Sequence, residues 1–245
     1  MKKGLLILVP ALLLALTACD LSGIIEKLGG DDNEDDGTSQ NVNGNSKGNG
    51  DNGAGYDDSI FDKTESVDKL MAYGKETGFE IVTNASTSDS GGSVTTLAMK
   101  GNIWWTLDED GTGTGYRLEN GVCSMLTYDY SNQSWSVLIN NVGETQFVEM
   151  FSSVSSYLYS ANEYFANEGF TANGSGKYAG RDILKFKYHR AVATVSINHE
   201  YYVEKDLGIT IYNYADTTTS DGTSWAKLET TSFKTGSQVV APVVA

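Results

Sequence analysis

The sequence predicts a mostly β, α+β fold. The expected architecture is a strongly curled antiparallel sheet, a half-barrel of about 10–11 strands, with helices on its inner face. Three observations predict it. Many short segments alternate apolar and polar residues and are separated by turn residues. Two stretches place apolar residues at spacings of three and four. Only two prolines occur in 245 residues, so long paired strands are not interrupted.

The elements follow in chain order. Segment 65–76 carries Val67, Leu70, Met71 and Tyr73 on a helical stripe closed by Gly78. Segments 79–85, 94–100, 102–108, 115–119, 122–130 and 134–140 read as strands. Between them stand Ser88-Asp89-Ser90-Gly91-Gly92, Glu109-Asp110-Gly111, Asn120-Gly121 and Ser131-Asn132, all turn chemistry. Segment 144–167 is the clearest helix. Phe147, Met150, Phe151, Val154, Tyr157, Leu158, Ala161 and Phe165 form one continuous apolar face along it. Strands 181–190, 192–204, 209–217 and 225–234 close the chain, and 170–178 reads as one more. A sheet this wide must curl or close. The stripe on 147–165 needs an apolar surface to cover, and the inside of a half-barrel supplies it.

The N-terminus carries a different message. Lys2 and Lys3 precede an almost uncharged apolar run, 4–16, which ends in Leu16-Thr17-Ala18-Cys19. This is the pattern of a secretory signal, too short to span a bilayer, which takes about 20 apolar residues. The quartet resembles the lipobox of bacterial lipoproteins. That resemblance implies cleavage after Ala18, acylation of Cys19 and a membrane anchor there; two acyl chains hold stably where one is marginal. The expected organisation is a signal peptide at 1–18, a lipidated and disordered tether at 19–58 and a single β-rich domain at 59–245. Segment 20–58 holds ten acidic residues against two lysines and is rich in Gly and Asn, a composition that cannot offset its ordering entropy. Its end-to-end distance is about 35 Å as a flexible coil.

Composition excludes several partners. The net charge of −15 argues against nucleic acid, which rewards Lys and Arg, and against attraction to anionic lipid surfaces. With Cys19 lipidated, Cys123 has no partner within the chain, so no intrachain disulfide is expected. Two histidines are too few for a His-rich metal site, and no cofactor is expected.

No motif spells out a reaction. Cys123 alternates with Val122 and Ser124 in a strand and reads as a buried, inert thiol. His189 shares a face with Lys185 and Lys187 and reads as solvated. His199 shares one with Val195, Ile197 and Tyr201, so it is a hydrogen-bonded core residue or a ligand contact. Asp108-Glu109-Asp110-Gly111-Thr112-Gly113 with Glu119 approaches calcium-loop spacing, but it lies between strands and has Thr at position five; a hairpin turn is the expectation. Gly174-Ser175-Gly176-Lys177 lacks the upstream Gly of a phosphate loop, and no Gly-x-Ser-x-Gly elbow occurs. No catalytic residue is assigned and no enzyme is expected. Trp104 and Trp105 point to opposite faces of one strand. Trp105 runs with Ile103 and Leu107 and reads as core. Trp104 runs with Asn102, Thr106 and Asp108, so it is an exposed contact residue or one shielded by a neighbouring element.

Three segments carry a family likeness: Gly101-Asn102-Ile103-Trp104-Trp105 followed by 122–130; Tyr178-Ala179-Gly180-Arg181-Asp182-Ile183-Leu184-Lys185-Phe186; and Tyr201-Tyr202-Val203-Glu204-Lys205-Asp206-Leu207-Gly208-Ile209-Thr210-Ile211. With the order lipobox, tether, helix, strands, helix, strands, the chain resembles the LolA/LolB-like superfamily of periplasmic lipoprotein carriers over 65–236. It departs from the carriers in its long acidic tether and scarcity of Pro. The resemblance implies a half-barrel with a helical lid over an apolar cavity that takes acyl chains. The expected function is therefore a non-enzymatic lipoprotein on the extracytoplasmic face of a cell membrane, periplasmic or cell-surface. It binds a hydrophobic ligand lined by Trp105, Phe147, Phe151, Val154 and Leu158. The alternative is an envelope interaction module with a filled core; the protein partner is left open.

Overall fold

A computed structural model describes residues 63–159 and 171–245. The signal segment 1–18, Cys19 with the rest of 19–58, and residues 160–170 lie outside the described residues. Helix α1 is Lys63–Glu76. A first meander follows: β1 (Phe79–Thr87), β2 (Ser93–Lys100), β3 (Ile103–Asp108), β4 (Gly113–Glu119), β5 (Val122–Asp129) and β6 (Ser134–Ile139). Helix α2 (Thr145–Ser155) and a 3-10 turn (Ser156–Leu158) come next. The second meander is β7 (Thr171–Tyr178), β8 (Arg181–Val192), β9 (Val195–Glu204), β10 (Thr210–Thr219) and β11 (Gly222–Thr235).

All eleven strands form one antiparallel sheet in the order β6-β5-β4-β3-β2-β1-β11-β10-β9-β8-β7. The first meander runs outward from β1, and the second starts at the far edge and returns to lie beside it. β1 and β11 pair along their length, from Phe79↔Thr235 to Thr87↔Ala226. The sheet does not close: β6 and β7 are its edges. Register shifts at Val82/Thr83, Met125/Leu126, Ala172/Ser175 and Thr210/Tyr212 each insert a bend and strengthen the right-handed twist. The result is the expected curled, half-barrel sheet.

Helix α1 ends as its sequence predicts. Gly78 adopts φ +88°, and Tyr73 O accepts the N–H groups of Thr77 at 2.8 Å and Gly78 at 3.2 Å, a left-handed glycine stop. Gly74 brings the helix close to β2: a Cβ there would lie 2.6 Å from Met99 Sδ. Helix α2 is shorter than the apolar stripe suggests. Its α-helical turns stop at Ser155, and Ser156 donates through both its N–H and its hydroxyl to Ser153 O. Serine side chains compete for backbone groups in this way and tighten a last turn to 3-10. Tyr157 and Leu158 thus sit on a 3-10 turn rather than on a continuous helix to 167, of which 160–167 lies outside the described residues.

Each face of the first meander has an apolar layer. On the inner face, Val67, Leu70 and Met71 of α1 and Phe147 and Phe151 of α2 cover Phe79, Ile81, Leu97, Met99 and Trp104. On the outer face, Ala98, Ile103, Trp105, Leu126 and Trp135 pack with Val239, and Ala241 and Val244 lie against them. The C-terminal segment is pinned there by Ala245 N–H donating to Trp135 O at 3.0 Å.

A charged clamp fixes the turn between β9 and β10. Arg181 Nε and Nη2 donate to Glu204 Oε1 at 3.0 and 2.6 Å, and Leu207 N–H donates to Glu204 Oε2 at 2.7 Å. The guanidinium lies 4.8 Å from the Phe233 ring centroid. Two of the segments that carry the family likeness, 178–186 and 201–211, therefore meet through this pair.

Candidate functional site

The inner face beneath α2 is aromatic. Trp104 stacks on Tyr116 at 4.8 Å and meets Phe147 and Phe151 edge-on at 6.4 and 5.9 Å. Phe151 also meets Phe79 at 6.4 Å. The Trp104 indole Nε1–H donates to Phe147 O at 3.0 Å. Such pairs add about 0.5–1.5 kcal/mol each beyond the area they bury. Of the expected lining residues, Phe147, Phe151 and Leu158 are buried in this layer and Val154 packs against it half-buried.

Trp105 is not brought together with them. It lies on the outer face with Ile103, Leu126, Trp135 and Val239, and Trp104 takes the inner place instead. Of the two readings of Trp104, the shielded one holds: it is fully buried in the layer beneath α2. Of the polar residues that share its face, Asn102 is exposed and Thr106 and Asp108 are half-buried.

Asp108 ends a polar row. Thr230 of β11 pairs with Thr83 of β1, Thr83 with Thr95 of β2, and Thr95 with Asp108 of β3. The row thus crosses four adjacent strands on the inner face, one position beyond Ile81 and Leu97. Thr83 Oγ1 donates to Thr95 O at 3.2 Å, and Thr95 Oγ1 donates to Asp108 Oδ1 at 2.8 Å. The Tyr157 hydroxyl reaches Thr83 from above, and burial pushes it up to about 12. Burial also raises the Asp108 carboxyl, against the pull of the Thr95 hydroxyl. The next inner-facing row runs Ala85, Leu228, Asn213, Tyr201 and Phe186. Among the described residues, two buried polar atoms on this face have no partner, Thr230 Oγ1 and Asn213 Oδ1. A buried polar atom left unpaired costs about 1–3 kcal/mol, so their coincidence on one face points to a use. The row was not legible in the sequence, because its members lie in strands paired only by long-range register.

The remaining candidates fall where their chemistry predicts. Cys123 is buried in the inner layer, and burial raises its thiol against a backbone hydrogen bond with Phe147. His189 is exposed and bonds Asn198 Oδ1 at 2.7 Å. The 108–112 loop is a hairpin: Asp108 N–H donates to Thr112 O, Thr112 N–H donates to Asp110 Oδ1, and Gly111 has φ +82°. Among the described residues no group of three or more acidic, His or Cys side chains is placed to hold a metal.

His199 meets the Tyr188 ring edge-on at 5.9 Å, and burial holds its imidazole down to about 4, against the Asp216 charge. The neutral ring is favoured in the folded state, so the unfolded chain takes up the proton first as pH falls. Stability from this site is complete above pH 6.5 and is lost between there and about pH 4. The loss amounts to about 3 kcal/mol. His199→Gln therefore flattens the acid limb of a urea-midpoint against pH curve relative to the parent. Parallel curves would show that His199 does not titrate in this window.

Searches against known proteins return structural neighbours only. No family model and no curated protein matches the chain. It is similar to an outer membrane lipoprotein-sorting protein domain from Vibrio parahaemolyticus, at TM-score 0.24 and 6% identity over 73% of this chain and 95% of that one. It is similar to LprF from Mycobacterium bovis, at TM-score 0.30 and 9% identity over 74% and 97%. It is also similar to a LolA superfamily protein from Nitrosomonas europaea, at TM-score 0.21 and 8% identity over 70% and 92%. The fold class itself stands on the strand order and register above.

Proposed function

We propose that the protein is a lipid-anchored lipoprotein of the extracytoplasmic membrane face, non-enzymatic, that binds a lipid or acyl chain between the sheet and α2 with its following 3-10 turn. One observation carries the reading. The inner layer joins α2 to the sheet mainly through rings and aliphatic groups, with Phe147, Phe151, Val154 and Leu158 facing Trp104, Tyr116 and Phe79. Apolar contacts are non-directional. An acyl chain that takes the place of α2 contacts regains about 0.8 kcal/mol for each CH2 group it buries. The anchor at Cys19 then keeps this surface near its source of ligand, at the reach of the tether.

The test uses the mature chain, 19–245, made without its signal segment. Mass spectrometry of an organic extract is expected to show co-purifying acyl lipid, and a fluorescent fatty-acid probe is expected to bind. No lipid and no probe uptake would defeat the cavity reading. In cells, Cys19→Ser is expected to move the protein out of the membrane fraction; retention there would defeat the anchor.

Two observations favour the second reading, an interaction module with a filled core. Phe147, Phe151 and Leu158 are completely buried without any ligand, and the edge strand β6 exposes Val137, Leu138 and Ile139. A paired edge is a common route to partner binding. The probe measurement separates the two.

A further inference from the structure

We infer that Thr230 and Asn213, beside one end of the polar row, are the receptor for the ligand's head, and that this head is uncharged and carries hydroxyl groups, as in a mono- or diacylglycerol. The inference rests on the apolar-ligand reading above and specifies it. Thr230 is 2% exposed and Asn213 9% exposed, and their Oγ1 and Oδ1 atoms lack partners. The two are diagonal neighbours on the inner face: Asn213 pairs with Leu228, and Thr230 is the next inner-facing residue on that strand. Side chains so placed are about 7–8 Å apart, a span that two hydroxyls of one small head can bridge.

The donor set decides the chemistry. An amide oxygen only accepts, so Asn213 Oδ1 requires a ligand O–H or N–H. Thr and Ser hydroxyls donate or accept and impose no charge. A carboxylate or phosphate head offers acceptors alone and leaves Asn213 Oδ1 unanswered. It would also face Asp108 at the end of the row with no cation among the inner-facing neighbours Ile81, Ala85, Leu97, Thr106 and Leu228. A hydroxyl-bearing neutral head satisfies both orphan atoms and adds no buried charge.

The experiment compares a monoacylglycerol with the fatty acid of the same chain length, each displacing a fluorescent probe from the mature chain. The monoacylglycerol is expected to bind about tenfold tighter, one hydrogen bond's worth of preference. Thr230→Val and Asn213→Leu remove the orphan atoms at nearly constant volume. Each is expected to erase most of that preference while fatty-acid affinity stays unchanged. Their thermal midpoints are expected to hold or rise, because replacing an unsatisfied polar atom by an apolar one is neutral or stabilising. Equal affinity for both ligands in the parent would overturn the inference and leave the apolar site standing. So would variants that weaken both ligands alike or lower the midpoint, which marks a structural row. Binding of neither ligand would overturn the apolar-ligand reading itself, and the inference with it.

Discussion

Arg181→Met is expected to cost about 3–5 kcal/mol of folding stability near neutral pH, the range for leaving one member of a buried pair uncompensated. Glu204 is 0% exposed and Arg181 20% exposed. The carboxylate therefore has no water to fall back on once the guanidinium is gone. It keeps the Leu207 N–H at 2.7 Å, which is not enough to hold a full charge in the interior. Burial already raises this carboxyl, opposed first by the Leu207 N–H and then by Arg181. Without Arg181 it rises further. The folded variant then binds a proton at a pH where the unfolded chain does not, so its stability increases as pH falls toward the unfolded carboxylate range. Urea midpoints measured between about pH 7.5 and about pH 5 should thus show the gap to the parent closing with acid. A gap that stays constant, or a loss below about 1 kcal/mol, would show that Arg181 does not sustain the Glu204 charge. Arg181→Met with Glu204→Met is expected to recover part of the loss, because a buried pair replaced by apolar groups is often tolerated.

Alternation along the chain was enough to find most strands, because each has a face that is at least half-buried; the edge strand β7, exposed but for Tyr178, is the exception. The segments read at 79–85 and 94–100 lie within β1 (Phe79–Thr87) and β2 (Ser93–Lys100). Alternation could not show that β1 pairs with β11, since that register joins residues such as Ile81 and Phe233 from opposite ends of the chain. The polar row inherits this blindness. Thr83, Thr95, Asp108 and Thr230 look like ordinary solvent-facing residues until the register aligns them. The choice between Trp104 and Trp105 failed for a related reason. Ile103, Trp105 and Leu107 make the more apolar stripe of β3, and a single-core picture puts that stripe inside. Here the outer face has a cover of its own, supplied by Val239, Ala241 and Val244. The apolar run after the last strand, Val239-Val240-Ala241, then Pro242, Val243 and Val244, was the signal that could have revealed it.

Replacing the two tryptophans one at a time measures the difference between those layers. Trp104→Ala is expected to lose about 3–5 kcal/mol, the range for emptying a large aromatic site in a core. Four ring neighbours or polar partners depend on it: the Tyr116 stack, the edges of Phe147 and Phe151, and the Phe147 carbonyl that accepts its indole N–H at 3.0 Å. These partners sit on β4 and on α2, elements fixed by the sheet and by each other, so the cavity cannot readily collapse. Trp104→Phe keeps a ring against Tyr116 and forfeits the hydrogen bond, and is expected to cost about 1–3 kcal/mol, from that bond and the space left by the smaller ring. Trp105→Ala is expected to cost less than Trp104→Ala, because one side of its site is the C-terminal segment. That segment is held by Val239 and the Ala245–Trp135 hydrogen bond and belongs to no helix or long strand, so it can move inward to fill the space. Thermal and urea unfolding of the three variants checks the order. If Trp105→Ala proves the more damaging, the outer layer rather than the helix-covered face is the principal core, and the ligand site must be sought away from α2.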